Sequence, residues 1–236
     1  MGLAAQETHV ISAGAAQSVA SAIIPAFRAA ASADVHASFC PVGALKEMLL
    51  AGKPCDVLVS TAAMVDELAH DTRVVPASIR ALGRVQTGIA VRSGEPVPAI
   101  GDQALLRASL AAVAGVYLPD PERATAGIHF VKLLRELGLH GDLEPRLRAY
   151  PNGASAMEAL AKSRGSGLIG CTQVTEIKAT PGVTLAGTLP EPFELATTYA
   201  VAVCSSAREP ELAQRFVQML AGPESFELRR QAGFEM

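Results

Sequence analysis

The sequence predicts an α/β protein of two lobes, each a mixed sheet flanked by helices, with a ligand cleft between the lobes. Three observations carry this reading. Short apolar runs that read as buried strands alternate with amphipathic helical segments, the pattern of sheets wrapped by helices. Turns of small residues join strand to helix again and again. The alternation also halts at a long extended segment near 84–92, restarts, and returns to the first lobe near 196.

The elements follow in order. His9-Val10-Ile11 is an apolar strand, Ser12-Ala13-Gly14-Ala15-Ala16 a small-residue turn, and Gln17 to Ala31 a helix burying Ile23, Ile24 and Phe27. Asp34 to Phe39 is the next strand, and Pro41-Val42-Gly43 opens a helix that Gly52-Lys53-Pro54 stops after Leu50. Asp56 to Ser60 is a buried strand and Ala62 to Ala69 a helix, so this part reads as a parallel sheet. Arg84 to Arg92 is a long strand. Leu105 to Leu110 begins the second set, followed by a strand from Ala112 to Leu118 and the turn Asp120-Pro121. A helix from Ala126 carries Ile128, Val131, Leu134 and Leu137 at helical spacing, with Gly138 as its cap. Strands at Leu147–Tyr150, Gly167–Cys171, Val183–Thr188 and Thr197–Cys204 and helices from Gly153, Thr172 and Pro210 complete the pattern, and Gly222-Pro223 precedes a last helix to Ala232. The expected division is 1–84 with 196–236 as the first lobe and 85–195 as the second, with hinge strands near 84–92 and 194–203.

Composition narrows the function. Half the residues are hydrophobic, 4% are aromatic and there is no Trp, as in sheets covered on both faces. Twenty basic against 23 acidic residues give a net charge of -3, which offers nothing to nucleic acid. Cys40, Cys55, Cys171 and Cys204 form no CxxC pair and have no His at ligand spacing, so no metal site is expected and no cofactor. They read as buried or semi-buried thiols, with a single Cys40–Cys55 bridge as the alternative. Met1 to Thr8 has neither a basic nor an apolar leader region. On that basis the expectation is a mature chain, or a cytoplasmic protein if Met1 is the native start.

Four turns are built to bring a ligand to backbone N–H groups at helix starts: Ser12-Ala13-Gly14-Ala15, Cys40-Pro41-Val42-Gly43, Arg123-Ala124-Thr125-Ala126 and Asn152-Gly153. Small side chains expose the donors, and the helix dipole favours an anion. Small residues also serve tight packing, so the argument rests on four such turns, two in each lobe. Arg123 is the best charged contact, although a loop arginine is usually solvated. No catalytic motif is visible: no GxSxG, no GxGxxG, no phosphate loop. The groups an enzyme would draw on are His129, Asp120 and Glu122, each with a plainer reading as a structural histidine or a turn cap.

The residues resemble the type II periplasmic binding proteins of the molybdate- and tungstate-binding branch. Val10 to Ala16, the Gly52-Lys53-Pro54-Cys55-Asp56-Val57-Leu58-Val59-Ser60 strand, Asp120-Pro121 with Ala126-Gly127, and Gly222-Pro223 with Gly233-Phe234 are similar to that family's segments, in the same order. The resemblance implies an oxyanion pocket of two serines, backbone N–H groups and often a tyrosine. Those positions fall at Ala15, at Pro41-Val42-Gly43 and at Gly170, while the backbone contacts fall at Ala126 and Asn152. Three hydroxyls are therefore missing, and each unmet bond costs about 1–3 kcal/mol. Gly170 is expected to widen the pocket, and Ser12, Thr125, Thr172 and Arg123 to supply replacement donors, which suits a small carboxylate better than molybdate. The resemblance implies a monomer in the periplasm that serves the membrane subunits of an ABC transporter. The alternatives are an isomerase acting on a small carboxylic acid, as aconitate isomerase does on a similar scaffold, and a cytoplasmic anion sensor.

Overall fold

The computed structural model describes residues 6–236, and Met1–Ala5, part of the segment read above for a leader, lie outside the described residues. The chain opens on β1 (Gln6–Ala13), turns through a 3-10 segment at Gly14–Ala16 into α1 (Gln17–Ala31), and continues as β2 (Ala33–Cys40), α2 (Val42–Leu50), β3 (Val57–Thr61), α3 (Ala62–His70) and the long β4 (Arg80–Arg92). Then come α4 (Gln103–Ala112), β5 (Gly115–Pro119), α5 (Thr125–Glu136), α6 (His140–Leu143), β6 (Leu147–Tyr150), α7 (Gly153–Ala161), β7 (Leu168–Gln173), α8 (Val174–Ala179) and β8 (Val183–Thr188). β9 (Ala196–Val203), α9 (Pro210–Ala221) and α10 (Phe226–Ala232) end it. The chain divides into two compact units, Met1–Arg84 with Thr197–Met236, and Val85–Ala196. Among the described residues no helix is long and apolar enough to cross a membrane.

In the first unit β1 pairs in parallel with β2, Ala13 opposite Cys40, and with β3, Ser12 opposite Val59. The sheet is not wholly parallel, because β9 returns antiparallel to β3, Leu58 opposite Ala202. Strand alternation sends Ile11, Leu58, Ala200 and Ala202 to one face, where Leu45 of α2 and Val65 and Leu68 of α3 cover them. Phe27 of α1 meets Phe216 of α9 edge to face, with ring centroids 5.1 Å apart.

The segments that carry the family resemblance have packing reasons here. Asp56 is buried, and its carboxylate accepts from the His9 N–H at 2.6 Å and the Arg208 N–H at 2.8 Å, tying together three separate stretches of chain. Gly222 lies against the buried guanidinium of Arg229, which donates to the carbonyls of Leu82, Ala221 and Gly222. Four neutral oxygens, counting Ser225 Oγ, satisfy this cation without a carboxylate. At Gly127 a Cβ would overlap the carbonyls of Pro119 and Asp120, so only glycine lets α5 start so close to the end of β5.

The second unit has strand order β8-β4-β7-β5-β6, antiparallel at both pairings of β4 and parallel from β7 to β6. One face packs Val116, Leu118, Ile169 and Cys171 against Leu106 of α4 and Phe130 and Leu134 of α5. The other packs Tyr117 and Leu168 against Met157 and Leu160 of α7. Gly138 ends α5 at φ +68°, with the Leu139 N–H reaching back to the Leu134 carbonyl.

Three details differ from the sequence expectation. Ile128 is 47% exposed: the buried stripe of α5 runs through Ala126, Gly127, Phe130, Val131, Leu133, Leu134 and Leu137, and position 128 lies roughly 150° from its centre. The strand expected from Ala112 begins at Gly115, because α4 continues through Ala112. The short α6 has too few residues to show a period.

Candidate functional site

In the first unit the two predicted turns lie side by side. The register of β1 on β2 ends at Ala13 opposite Cys40, so the 3-10 start at Gly14–Ala16 and the start of α2 at Val42 and Gly43 leave the same end of adjacent strands. Neither start has a side-chain cap, since Ala13 and Pro41 hold the N-cap positions. Three other helices, α3, α4 and α7, do have side-chain caps: Thr61 accepts from the Met64 N–H, Asp102 from Leu105 and Asn152 from Ser155. The uncapped starts leave first-turn N–H donors available to a bound group. Ser12 is fully buried, and its hydroxyl donates to the Ala13 carbonyl at 3.0 Å.

Ser60, which the sequence places only at the end of a buried strand, belongs with this group. The register Ser12 opposite Val59 puts Ser60 beside Ala13. Its hydroxyl is fully buried and has no hydrogen-bond partner among the described residues. A buried hydroxyl left unmet is costly, which marks it as a donor or acceptor in waiting.

In the second unit β5 and β6 end together, Pro119 opposite Tyr150, so the starts of α5 and α7 are neighbours as well. The start of α5 at Thr125 and Ala126 is uncapped, with Ala124 at the N-cap. The start of α7 is different, because the chain fills it itself. The carboxylate of Glu176, from α8, accepts from the backbone N–H groups of Gly153 and Ala154 and from the Thr172 hydroxyl. Gly153 and Ala154 therefore hold an internal carboxylate, to which the Thr172 hydroxyl also donates, while Asn152 Oδ1 caps the helix by accepting from Ser155. Burial raises the Glu176 pKa above the ordinary 4.5, and these hydrogen bonds offset part of the rise.

Other predicted residues have other duties. Asp120 Oδ1 accepts from the Glu122 and Arg123 N–H groups at 2.8 and 3.1 Å, so it holds its own turn. His129 Nε2 lies 2.8 Å from the Phe193 carbonyl, a structural bond within the unit. Gly170 opens no space: a Cβ there would meet Met157 and Leu160, which fill the position. The expected widening is thus replaced by close packing of α7 on β7.

Sequence reading also missed Gln173. It is 3% exposed, and both its side-chain nitrogen and oxygen lack partners among the described residues. Thr87, opposite it in the β4–β7 register, has a buried hydroxyl in the same condition. The signal was present, since Thr172, Gln173, Thr175 and Glu176 form a polar run directly after a strand that is otherwise buried and apolar.

The chain as a whole is similar to known proteins. The chain is 25% identical over 232 residues to aconitate isomerase of Pseudomonas sp, covering 96% of this chain and 86% of that protein. It is 25% identical over 203 residues to the molybdate-binding protein ModA of Escherichia coli (strain K12), covering 85% and 78%. The periplasmic molybdate-binding protein of Azotobacter vinelandii superposes with a TM-score of 0.78 at 17% identity, over 97% of this chain and 99% of that one. The model of the bacterial extracellular solute-binding protein family matches residues 8–235, nearly the whole fold described above, and the chain belongs to that family.

Proposed function

We propose that this chain is a periplasmic solute-binding protein that holds a small anion and delivers it, as a monomer, to the membrane subunits of an ABC transporter. The observation that carries the reading is the pair of uncapped helix starts at Gly14 and Val42, set side by side by the pairing of Ala13 with Cys40. The start of α5 at Thr125 and Ala126 is the counterpart in the second unit. Backbone donors at helix starts favour negative charge whatever the side chains are.

Among anions, a small carboxylate is the better fit. By the resemblance to the molybdate-binding branch, the serine positions of the pocket fall at Ala15 and Pro41-Val42-Gly43, so a compact dianion finds few hydroxyls. Unmet polar groups in each unit support this choice: the Ser60 hydroxyl in the first, and the Thr87 hydroxyl with the Gln173 carboxamide in the second, each suit an oxygen-rich ligand that carries a hydroxyl or acid proton. Titration calorimetry with molybdate and with citrate tests this choice. Tighter binding of citrate supports the carboxylate reading, and nanomolar molybdate binding with no citrate heat contradicts it.

One observation favours a second reading, an isomerase on the same scaffold. Glu176 is a buried carboxyl that burial raises above its ordinary pKa, and moving a proton along a small acid needs a group that can take one up and release it. The relative named for aconitate isomerisation matches almost the whole chain. Conversion of cis- to trans-aconitate by the purified chain, lost in Glu176→Gln, supports it. No turnover by the wild type rejects it.

A further inference from the structure

The first unit contains a second chemical feature, remote from the helix starts and independent of any ligand they hold. Cys204, directly after β9, lies opposite Asp56, directly before β3, and its N–H donates to the Asp56 carbonyl at 2.9 Å. This brings the Cys204 Sγ to 3.3 Å from the Cys55 Sγ, across 149 residues of sequence. The Cys55 thiol points in turn at the Val57 carbonyl, 3.2 Å away. The bridge left open by the sequence, Cys40 with Cys55, is not the arrangement found: Cys40 Sγ faces Met48 Sδ at 3.8 Å.

Both sulfurs are well buried in the packing, at 5% and 3% residue exposure, yet both residues line a cavity of about 560 Å³. Lys53, Arg73 and Arg208 line it too, against one acid, Asp56, whose carboxylate is already held by the His9 and Arg208 backbone N–H groups. An anionic reagent is therefore attracted to an opening that leads to a thiol pair. The roles of the two sulfurs differ: the Cys204 S–H donates to the Cys55 sulfur, and this bond, burial and the nearby Asp56 carboxylate push the Cys204 thiol up, so Cys204 keeps its proton and Cys55 is the sulfur placed to attack first.

The geometry points to Cys55 and Cys204 as a redox-active dithiol that closes to a disulfide on meeting a small anionic disulfide such as oxidised glutathione. One protein thiolate attacks the reagent's S–S bond, forming a mixed disulfide and releasing one glutathione thiolate. The second protein thiolate attacks the mixed disulfide, forming the Cys55–Cys204 bond and releasing the second glutathione. The protein dithiol is oxidised by two electrons, the reagent disulfide is reduced by two, and the two thiol protons end on the two glutathione molecules. The sulfurs need only close from 3.3 Å to about 2.05 Å. The bond ties the segment before β3 to the segment that returns from the second unit. A closed loop of this length restricts the unfolded chain strongly.

The test treats the native full chain with oxidised glutathione and counts thiols after denaturation. The expected result is a fall from the four free cysteines to two, an intact mass lower by two hydrogens with no adduct, and a peptide map linking Cys55 to Cys204. The unfolding midpoint of the oxidised chain is expected to rise, and a reductant to reverse the rise. Cys40→Ser should still lose two thiols, whereas Cys55→Ser and Cys204→Ser should each lose the midpoint shift. Because the wild-type peptide map stands alone, a variant that misfolds does not affect the outcome. Four thiols still free, glutathione adducts alone, or a bridge through Cys40 would overturn the assignment.

Discussion

The carboxylate of Glu176 stands over the α-carbon of Gly153, so close that one methyl group there would overlap it and the Thr172 hydroxyl. The chain thus uses its own acid where a helix start in this fold offers a place for an anion. It also puts a carboxyl with a raised pKa beside residues that sequence reading assigned to ligand binding.

Gly153→Ala tests the packing. The added methyl must displace Glu176 and Thr172, both buried, and overpacking of this kind costs about 1–3 kcal/mol. Urea unfolding should show that loss, while Gly141→Ala, where a Cβ meets nothing within 4 Å, should stay within about 0.5 kcal/mol of wild type.

The pH dependence of stability tests Glu176 directly. Its folded pKa is raised above the ordinary 4.5, so between the two values the native state holds a proton that the unfolded state has released. Its contribution is complete below about 4.5 and is lost as pH rises through the folded value. Unfolding free energy measured from pH 4 upward should therefore carry a declining component that Glu176→Gln removes. A slope unchanged in the variant would count against a raised folded pKa.

Gln173→Leu separates binding from stability. The wild-type carboxamide is buried without partners, so its removal should leave the free protein as stable or about 1 kcal/mol more stable. Affinity for the anion should fall about tenfold or more, near 1.4 kcal/mol. A variant that binds as well as wild type would take Gln173 out of the site.

Val42→Asp places a carboxylate at the start of α2. The helix dipole should raise stability by about 0.3–1 kcal/mol. The same charge should repel a bound anion and lower its affinity at least about tenfold, with the loss shrinking in high salt. Calorimetry on the folded variant distinguishes this from unfolding.

Most of the fold was legible because it depends on local patterns. The span Gln17–Ala31, the strand Leu147–Tyr150 and the cap at Gly138 follow from period, alternation and turn chemistry, and the structure has each of them. The site was half legible. Small residues after β1 and β2 announce uncapped helix starts, since Ala13 and Pro41 have no side-chain acceptor to offer. What sequence could not show was which groups meet across the chain. Glu176 reaches α7 only through the packing of α8, and Cys204 reaches Cys55 only because β9 returns antiparallel to β3. Gly170 misled for the same reason: a missing side chain reads as space, but Met157 and Leu160 had already filled it.

The most direct test of the anion-binding claim is thermal unfolding of the purified chain with molybdate, tungstate, sulfate, phosphate, citrate and cis- and trans-aconitate, beside a neutral sugar and a cationic amino acid. A ligand at about 100 times its dissociation constant adds roughly 2.7 kcal/mol, an easily measured rise in midpoint. The expected result is stabilisation by a small anion, greatest for a carboxylate, that Val42→Asp cuts to about 1.4 kcal/mol or less for a loss of tenfold or more in affinity. Stabilisation by the neutral or cationic solute alone, with no anion effective, would contradict the account.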